Sequence, residues 1–398
     1  MTLQDNSTAF RLSPQQRLGW LTDMPAPSLE LHHHGKLDLA WLRKSLASLA
    51  ERHESLRLRL QLSAGFQVPL QTIADSQSTE KHIYINDEKN NFPNAESDKV
   101  SVDVAEIKPD LYRIKITLPL LSADRGTINR LAESLGTYQD ASHHEDMTYT
   151  QYSAWLYELQ TDEDANDGHE YWEKNSLSAV NENDILYREE NLHQHESLLS
   201  GLSESLKTSS EFFNALNKFC DDNDCSPENI LITAWASLLQ RLSTGMDNEA
   251  PAINLHWVHD CREDYDELSS CWGLFSKALP LHWSHSLGNS FSSAIAHMQD
   301  LQEAATEWQE YYAIESEPAP SRYGFEYGGE LSKKLKISLG QHIELVSVNT
   351  LVQPFELLLV PELIASESAY RFNLHYDPRF YSVQTIKILL EQYQSLLT

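Results

Sequence analysis

The sequence has few cysteines and no long hydrophobic run. Its four cysteines, Cys220, Cys225, Cys261 and Cys271, lack paired CxxC spacing, so we expect reduced thiols and no zinc site. No apolar stretch approaches the roughly 20 residues that a membrane-spanning helix needs. The opening stretch MTLQDNSTAFRLSPQQ lacks the basic start and apolar run of a signal peptide. Together these absences predict a cytoplasmic protein that has no membrane partner.

Basic residues are also scarce. The chain has 30 lysines and arginines against 59 acidic residues, a net charge of −29. Nucleic acids and anionic membranes both require a basic face, so this balance argues against either as a partner. It permits a basic protein partner, although a high acidic content more commonly serves solubility alone.

Apolar periodicity predicts a mixture of helices and strands. Amphipathic helices are predicted over 37–53 with Asp38 as N-cap, after Asp124, from Ser226-Pro227-Glu228, over 291–312 and over 383–397. Period-two alternation predicts strands over 56–60, 113–118, 253–257, 355–359 and 370–376, and a bulged strand over 343–348, whose alternation slips at Val346. Residues 76–100 are polar and irregular and are predicted to form a loop.

A faint internal repeat predicts two lobes of similar fold. A strand leads to Asp124 and then a helix in the first half, and a strand leads to Asp377 and then a helix in the second. The stretches 161–168 and 180–200 are acidic and aperiodic, which places the junction near 175–205. We therefore predict a mixed α/β protein with lobes 1–180 and 181–398 and mostly non-local sheet pairing.

Several segments resemble motifs of one family, the condensation domains of nonribosomal peptide synthetases. In chain order they are LSPQQRLGW at 12–20, RHESLR at 52–57, PLQ at 69–71, YW at 171–172, GLF at 273–275 with LPL at 279–281, and YD at 376–377 with Phe380. Ser276 and Lys277 depart from the family's asparagine pattern after GxF. Each segment is a weak signal alone, but together they follow the family's order across the chain.

This resemblance implies two chloramphenicol-acetyltransferase-like lobes arranged as a V-shaped pseudo-dimer with a central tunnel. In the family, substrates tethered to carrier proteins enter the tunnel from both sides and meet at an HHxxxDG motif. When that motif is aligned on Asp124, Pro119 and Leu120 replace both histidines and Arg125 replaces the glycine. Arg52, His53, Arg57 and the pair Asp124–Arg262 are implied to be structural.

Loss of the histidines argues against peptide-bond formation. The second histidine is the family's candidate to orient or deprotonate the amine, and a leucine side chain can do neither. Loss of one general base costs about 10²–10⁴ in rate. Ser122 has no base next to it in sequence, although a downstream histidine is left open as a substitute. We predict no catalytic residue, cofactor or metal in this chain.

The stretch Leu118–Asp124 (LPLLSAD) resembles the LPxLxAD form of interface domains in siderophore synthetases. Tyr149-Thr150-Gln151-Tyr152 with Trp155 resembles their aromatic QYxxW stretch. The resemblance implies that the domain presents an amino acid, tethered by phosphopantetheine to a peptidyl carrier protein, to a trans-acting hydroxylase that uses Fe(II) and 2-oxoglutarate. Adjacent synthetase domains are further implied partners. Two alternatives stay open: an enzyme of altered chemistry in the same tunnel, and an X-type domain that recruits a cytochrome P450.

Other residue patterns are interpreted as structural. His32-His33-His34 fits a strand whose alternate side chains point opposite ways, and His144-x-Asp146 fits a surface loop, so neither is assigned a metal. Gly328-Gly329 is interpreted as a hairpin turn that could begin a crossover between lobes. Most tryptophans are assigned to the core from their spacing; they are Trp155, Trp172, Trp235, Trp257 and Trp308.

Overall fold

A computed structural model shows the architecture of the chain. It describes residues 9–76, 83–87, 98–136, 147–163, 165–175, 185–189, 202–243, 251–286, 289–312, 321–331, 334–338 and 341–398. The predicted loop motif His144-x-Asp146 and most of the predicted lobe junction lie outside these residues. No helix in the described ranges is long and apolar enough to cross a membrane.

The helices begin at strong local signals. They are α1 (Pro14–Leu21), α2 (Leu39–Arg52), α3 (Arg125–Gly136), α4 (Tyr149–Leu159), α5 (Ala165–Lys174), α6 (Ser210–Asn223), α7 (Pro227–Leu242), α8 (Phe291–Glu307) and α9 (Val383–Leu397). The side chain of Asp38 accepts hydrogen bonds from the first turn of α2, as predicted. Ser226 forms a capping box with Asn229, and Pro227 occupies the first turn of α7.

The strands form three sheets, which are mixed or antiparallel. The strands are β1 (Ala9–Phe10), β2 (Ser28–His34), β3 (Leu58–Gln61), β4 (Leu70–Ile73), β5 (Ile83–Asp87), β6 (Val100–Lys108), β7 (Leu111–Thr117), β8 (Ser203–Lys207), β9 (Ile253–His259), β10 (Lys277–Trp283), β11 (Ser321–Glu326), β12 (Glu330–Leu331), β13 (Lys334–Ser338), β14 (Gln341–Asn349), β15 (Phe355–Ile364) and β16 (Ala369–Tyr376). The first large sheet has the order β13-β14-β2-β7-β6-β5, and the second has the order β10-β9-β11-β15-β16-β8 with β12 beside β15. A small sheet, β1-β4-β3, completes the set within the described residues. The mixed α/β class predicted from the sequence is confirmed.

Several local predictions are confirmed or corrected. The predicted bulge at Val346 is confirmed, because the pairing of β14 with β2 shifts register between Leu345 and Ser347. The predicted loop 76–100 is wrong in part, because Ile83–Asp87 pairs in parallel with β6. The predicted helix 291–312 ends at Glu307, and a short 3₁₀ turn follows it.

The predicted hairpin at Gly328-Gly329 is wrong. β11 before it and β12 after it both run parallel to β15 and do not pair with each other. The amide of Gly328 donates to the Pro361 carbonyl, and the Gly329 carbonyl accepts from the Leu363 amide, so the turn follows the edge of β15. Gly329 has φ +67°, a conformation that favours glycine.

The two halves of the chain exchange segments. β13 and β14 come from the second half, yet β14 pairs along its length with β2 of the first sheet. In the opposite direction, Ala165 and Trp172 of α5 belong to the core around the second sheet. The crossover after β12 therefore ties the second half to the first sheet through backbone hydrogen bonds. The proposed lobe boundary at 180 lies outside the described residues and stays a prediction.

Three buried apolar clusters organise the molecule. One lies against the first sheet, and one lies against the second. The third draws residues from both halves, among them Leu12, Leu121, Tyr149, Phe275 and Leu358. Within the stretch Leu118–Asp124, Leu121 belongs to this third cluster, whereas Leu118 and Ala123 belong to the cluster of the first sheet, so the stretch packs against both.

Candidate functional site

The loop between β7 and α3 contains the stretch Leu118–Asp124, which resembles an altered form of the condensation family's histidine motif. Pro119 is buried and Leu120 is partly buried against the third apolar cluster. Leu121 has φ +60°, which is uncommon for a bulky side chain, and its carbonyl accepts a hydrogen bond from Gln16 at 3.2 Å. The side chain of Leu121 also packs closely against Gly19, because a Cβ added to Gly19 would lie only 2.5 Å from it. Surrounding contacts thus hold the loop in one strained conformation.

Asp124 is the anchor of this loop and is 1% exposed. Its carboxylate accepts two hydrogen bonds from Arg262, both at 2.9 Å. It also accepts from the backbone amides of Thr127, Phe275 and Ser276 at 2.8–2.9 Å. Burial alone would raise the pKa of Asp124, but the charge of Arg262 and these hydrogen bonds lower it below its usual value. The residue is therefore held as a carboxylate.

Arg262 joins the second half of the chain to the loop. Besides Asp124, its guanidinium donates to Asp260 at 2.7 Å and to the carbonyls of Cys271 and Gly273 at 2.9 and 3.0 Å. It lies over the ring of Phe275, 4.2 Å from the centroid. The structure therefore brings the two residues of the sequence-derived pair together, and Asp260 is an additional partner that the motif did not reveal.

Arg125, which the resemblance aligns with a glycine of the condensation motif, is a buried residue and not a surface charge. Its Nε donates to Glu326 at 3.0 Å, and its Nη1 donates to Glu362 at 3.1 Å. Glu362 also pairs with Arg371 at 2.8 Å. The two carboxylates come from β11 and β15, so this cluster is a second charged link between the halves. The pKa of Glu326 is raised by burial, which the charge of Arg125 only partly offsets.

These partners of Arg125 were missed by sequence reasoning. A signal was present, because Glu356 and Glu362 interrupt an otherwise apolar strand and acidic residues are rarely buried unless paired. The sequence could not show which arginine pairs with Glu362, since residues 125 and 362 are distant along the chain.

Residues of the RHESLR motif have structural contacts. The ring of His53 stacks on Trp272 with centroids 3.8 Å apart. Arg52 donates to the carbonyl of Ser48, and Arg57 donates to the carbonyl of Ala50 at 2.8 Å. The motif therefore holds the turn between α2 and β3 and places His53 against the second half of the chain.

The opening motif and the aromatic stretch meet at the same place. Tyr149 donates to the carbonyl of Leu274 at 2.7 Å and shares a hydrogen bond with Ser13, also at 2.7 Å. A Cβ on Gly273 would lie 2.1 Å from the Tyr149 ring, so glycine is required for this close approach. Motifs far apart in sequence thus converge on the loop that contains Asp124.

Two cavities flank Ser276 at this junction. One has a volume of about 270 Å³ and is lined in part by Arg125, Glu228, Trp257 and His259. The other, about 20 Å³, is lined in part by Gln15, Lys277 and Glu310. The second is only large enough for water, whereas the first can hold a small organic group.

Apart from Asp124, whose carboxylate is held by Arg262 and three backbone amides, the loop contains no acidic or basic side chain. Leu120 offers no polar atom, and the buried hydroxyl of Ser122 has no hydrogen-bond partner among the described residues. The downstream histidine that lines the larger cavity is His259, which is hydrogen-bonded to Asp264 at 2.6 Å. This histidine–aspartate pair is the feature that favours the alternative of an enzyme with altered chemistry.

Residues interpreted as structural lie as follows. His32, His33 and His34 form the end of β2, with His33 buried and its neighbours partly exposed. No three metal-binding side chains converge within the described ranges. Trp172, Trp235 and Trp257 are buried as predicted, whereas Trp155 and Trp308 are partly buried at the edges of the apolar clusters.

One family model matches part of this chain, and several solved structures have a similar fold. Residues 131–317 match the Condensation domain family. The X-domain in a complex of the X-domain and OxyB from teicoplanin biosynthesis superposes with a TM-score of 0.70 at 16% identity, over 100% of this chain and 94% of that one. The condensation domain of the Monacolin K polyketide synthase MokA gives 0.75 at 15% identity, over 98% and 96%. The first condensation domain of the CDA synthetase gives 0.74 at 15% identity, over 98% and 96%. A search of curated protein sequences gives no match to this chain.

Proposed function

We propose that this chain is a condensation-like domain and, more specifically, a non-catalytic interface domain of nonribosomal peptide synthesis; the match to the Condensation family over residues 131–317 and the similar fold of solved condensation domains support this proposal. In this proposal it recruits a trans-acting, Fe(II)- and 2-oxoglutarate-dependent hydroxylase to a carrier-bound amino acid, in siderophore biosynthesis. The main support for this proposal is the loop Leu118–Asp124. Its buried Asp124–Arg262 pair is present, while Pro119 and Leu120 stand at the two positions that the resemblance assigns to histidines.

The retained frame supports a change of role over simple decay. Buried ion pairs at Asp124 and Arg125 link the two halves of the chain around the former motif. An unpaired buried charge is costly, so both clusters require their partners to be kept together. A domain that keeps this shape without a base is suited to binding carrier proteins and presenting their cargo.

The principal alternative within the same class is an X-type domain that recruits a cytochrome P450. The superposition on the X-domain solved with OxyB supports this alternative. The LPxLxAD form of residues 118–124 favours the hydroxylase. An enzyme of altered chemistry is the alternative of another class, and the His259–Asp264 pair beside the cavity is the feature that favours it.

The first prediction is that the purified domain forms no peptide bond. Donor and acceptor carrier proteins loaded with amino acids should yield no dipeptidyl carrier above the no-domain control, because Leu120 cannot serve as a base. Intact-protein mass spectrometry follows the product, with an active condensation domain as positive control. Product above background would remove the non-catalytic assignment.

The second prediction is that hydroxylation of the carrier-bound amino acid depends on this domain. Calorimetry with the purified hydroxylase should give a dissociation constant in the micromolar range, about −8 kcal/mol. Because the domain is strongly acidic, association should weaken between low and physiological salt, where charges more than about 8–10 Å apart are screened. Equal hydroxylation without the domain, and no measurable association, would contradict recruitment. A cytochrome P450 tested in parallel distinguishes the X-type alternative.

A further inference from the structure

The larger cavity has an excess of carboxylates over cations. Arg125 lines the cavity, but its guanidinium already forms ion pairs with Glu326 and Glu362. The neighbouring guanidinium of Arg262 likewise forms ion pairs with both Asp124 and Asp260. Each arginine therefore pairs with two carboxylates, and neither arginine forms an ion pair with the other acidic residues that line the cavity.

Two of those acids, Glu228 and Glu263, form no ion pair among the described residues, although His259 attracts both of them and Arg130 attracts Glu263 from a distance. Glu228 Oε1 accepts a hydrogen bond from the indole of Trp257 at 2.7 Å, and its second oxygen has no partner within those residues. Burial raises the pKa of Glu228, and the nearby Glu263 raises it further. Burial also raises the pKa of Glu263, at the exposed rim. Two carboxylates close together repel each other, so a cation bound beside them stabilises both.

An aromatic wall completes the cavity. Trp257 is buried, lines the space and lies against His259, with ring centroids 4.5 Å apart. The Nε2 of His259 is hydrogen-bonded to Asp264 at 2.6 Å, whereas the indole of Trp257 donates to Glu228. An aromatic face attracts an organic cation through its quadrupole.

The chemistry of the lining favours an organic cation over a metal ion. No three metal-binding side chains converge within the described ranges, and a small divalent cation needs several oxygen ligands at once. A volume of about 270 Å³ is far above the roughly 10–15 Å³ that one water needs. An alkylammonium group fits both the volume and the pair of carboxylates.

We propose that the cavity bounded by Glu228, Trp257 and Glu263 binds an organic ammonium group. The free oxygen of Glu228 accepts from the ammonium, the Trp257 ring packs against its carbon chain, and Glu263 attracts it at the rim. The identification of that group as an amine of a carrier-tethered residue rests on the proposed function, whereas the ammonium site itself does not.

Ligand-observed NMR on the whole chain tests the site with 1,4-diaminobutane as probe. Saturation transfer is expected to the diamine but not to 1,4-butanediol, which has similar length and no charge. Glu228→Gln should weaken the affinity at least about tenfold, the loss expected for one hydrogen bond to a charged group. Glu303→Gln, which removes one exposed acid from α8, is the matched control and should leave binding unchanged.

Glu263→Gln provides a second variant at an exposed position, so the test survives if Glu228→Gln impairs folding. It should also weaken diamine binding relative to Glu303→Gln. Equal binding of the diol, equal affinity in all three variants, or displacement of the diamine by equimolar Mg²⁺ would each overturn the proposal.

The source of the ammonium group is tested with stable aminoacyl amides of aminopantetheine. The compound with a free amine should bind more tightly than its N-acetylated form. Equal binding of the two, with diamine binding retained, would assign the site to a free amine. Because hydroxylase association is measured separately, failure of this site leaves the recruitment proposal standing, and failure of recruitment leaves the site standing.

Discussion

Replacing Asp124 with alanine is expected to lower the free energy of unfolding by about 3–5 kcal/mol, the cost of breaking a buried ion pair. The variant removes five partners at once, namely the Arg262 guanidinium, three backbone amides and the Ser276 hydroxyl. Arg262 would keep only Asp260 as a carboxylate partner. Urea unfolding followed by circular dichroism measures the change.

A double-mutant cycle isolates the pair. Arg262→Ala should cost at least as much as Asp124→Ala, because it leaves both Asp124 and Asp260 without their cation. The double variant should cost less than the sum of the two single variants, since both remove the same interaction. Asp266→Ala, at an exposed position, is the control and should change stability by less than about 0.5 kcal/mol. Small additive losses would show that the pair contributes little.

Replacing Arg125 with alanine is the second large expected effect, again about 3–5 kcal/mol at neutral pH. The variant leaves Glu326 without its cation and Glu362 with Arg371 alone. Urea unfolding measures the loss, and Arg241→Ala, which changes an exposed arginine at the end of α7, is the control. A loss no larger than that of the control would show that Arg125 is not needed to neutralise the cluster.

The loss caused by Arg125→Ala should also depend on pH. The charge of Arg125 lowers the pKa of Glu326, which burial raises above its usual value. Removing Arg125 therefore raises that pKa further, and a group with a raised folded-state pKa contributes stability at low pH that is lost as pH rises through that pKa. The deficit relative to wild type should be largest at neutral pH and shrink as the pH falls toward the ordinary glutamate range. A constant deficit would contradict this assignment.

Local sequence signals predicted helices and strands well where residues close together in the chain determine the conformation. The last helix, predicted over 383–397, has those bounds in the structure. The start of α7 follows from Ser226 and Pro227, which satisfy free amides and preset the first turn. The slip of alternation at Val346 predicted a real bulge, because an extra residue in a strand reverses the facing of every side chain after it.

Prediction failed where pairing partners are distant in sequence. The strand Ile83–Asp87 lies in a polar stretch and forms only because β6 is beside it. The segment after Gly329 looked like a hairpin, since its turn residues do not state which strand they will follow. Strand pairing depends on the tertiary structure, so the sequence of a short segment does not show which strand it will pair with.

The sequence by itself determined the mixed α/β class, and it placed Pro119, Leu120 and Asp124 in a stretch that resembles the condensation motif with apolar residues at both histidine positions. Those are statements about residue identity and order, and they need no coordinates. Only the tertiary structure decided that Arg125 is buried between Glu326 and Glu362, and that Glu228 lines a cavity without an ion-pair partner among the described residues. The physical reason is that charge pairing and burial depend on distance in space, which the fold determines between residues hundreds of positions apart.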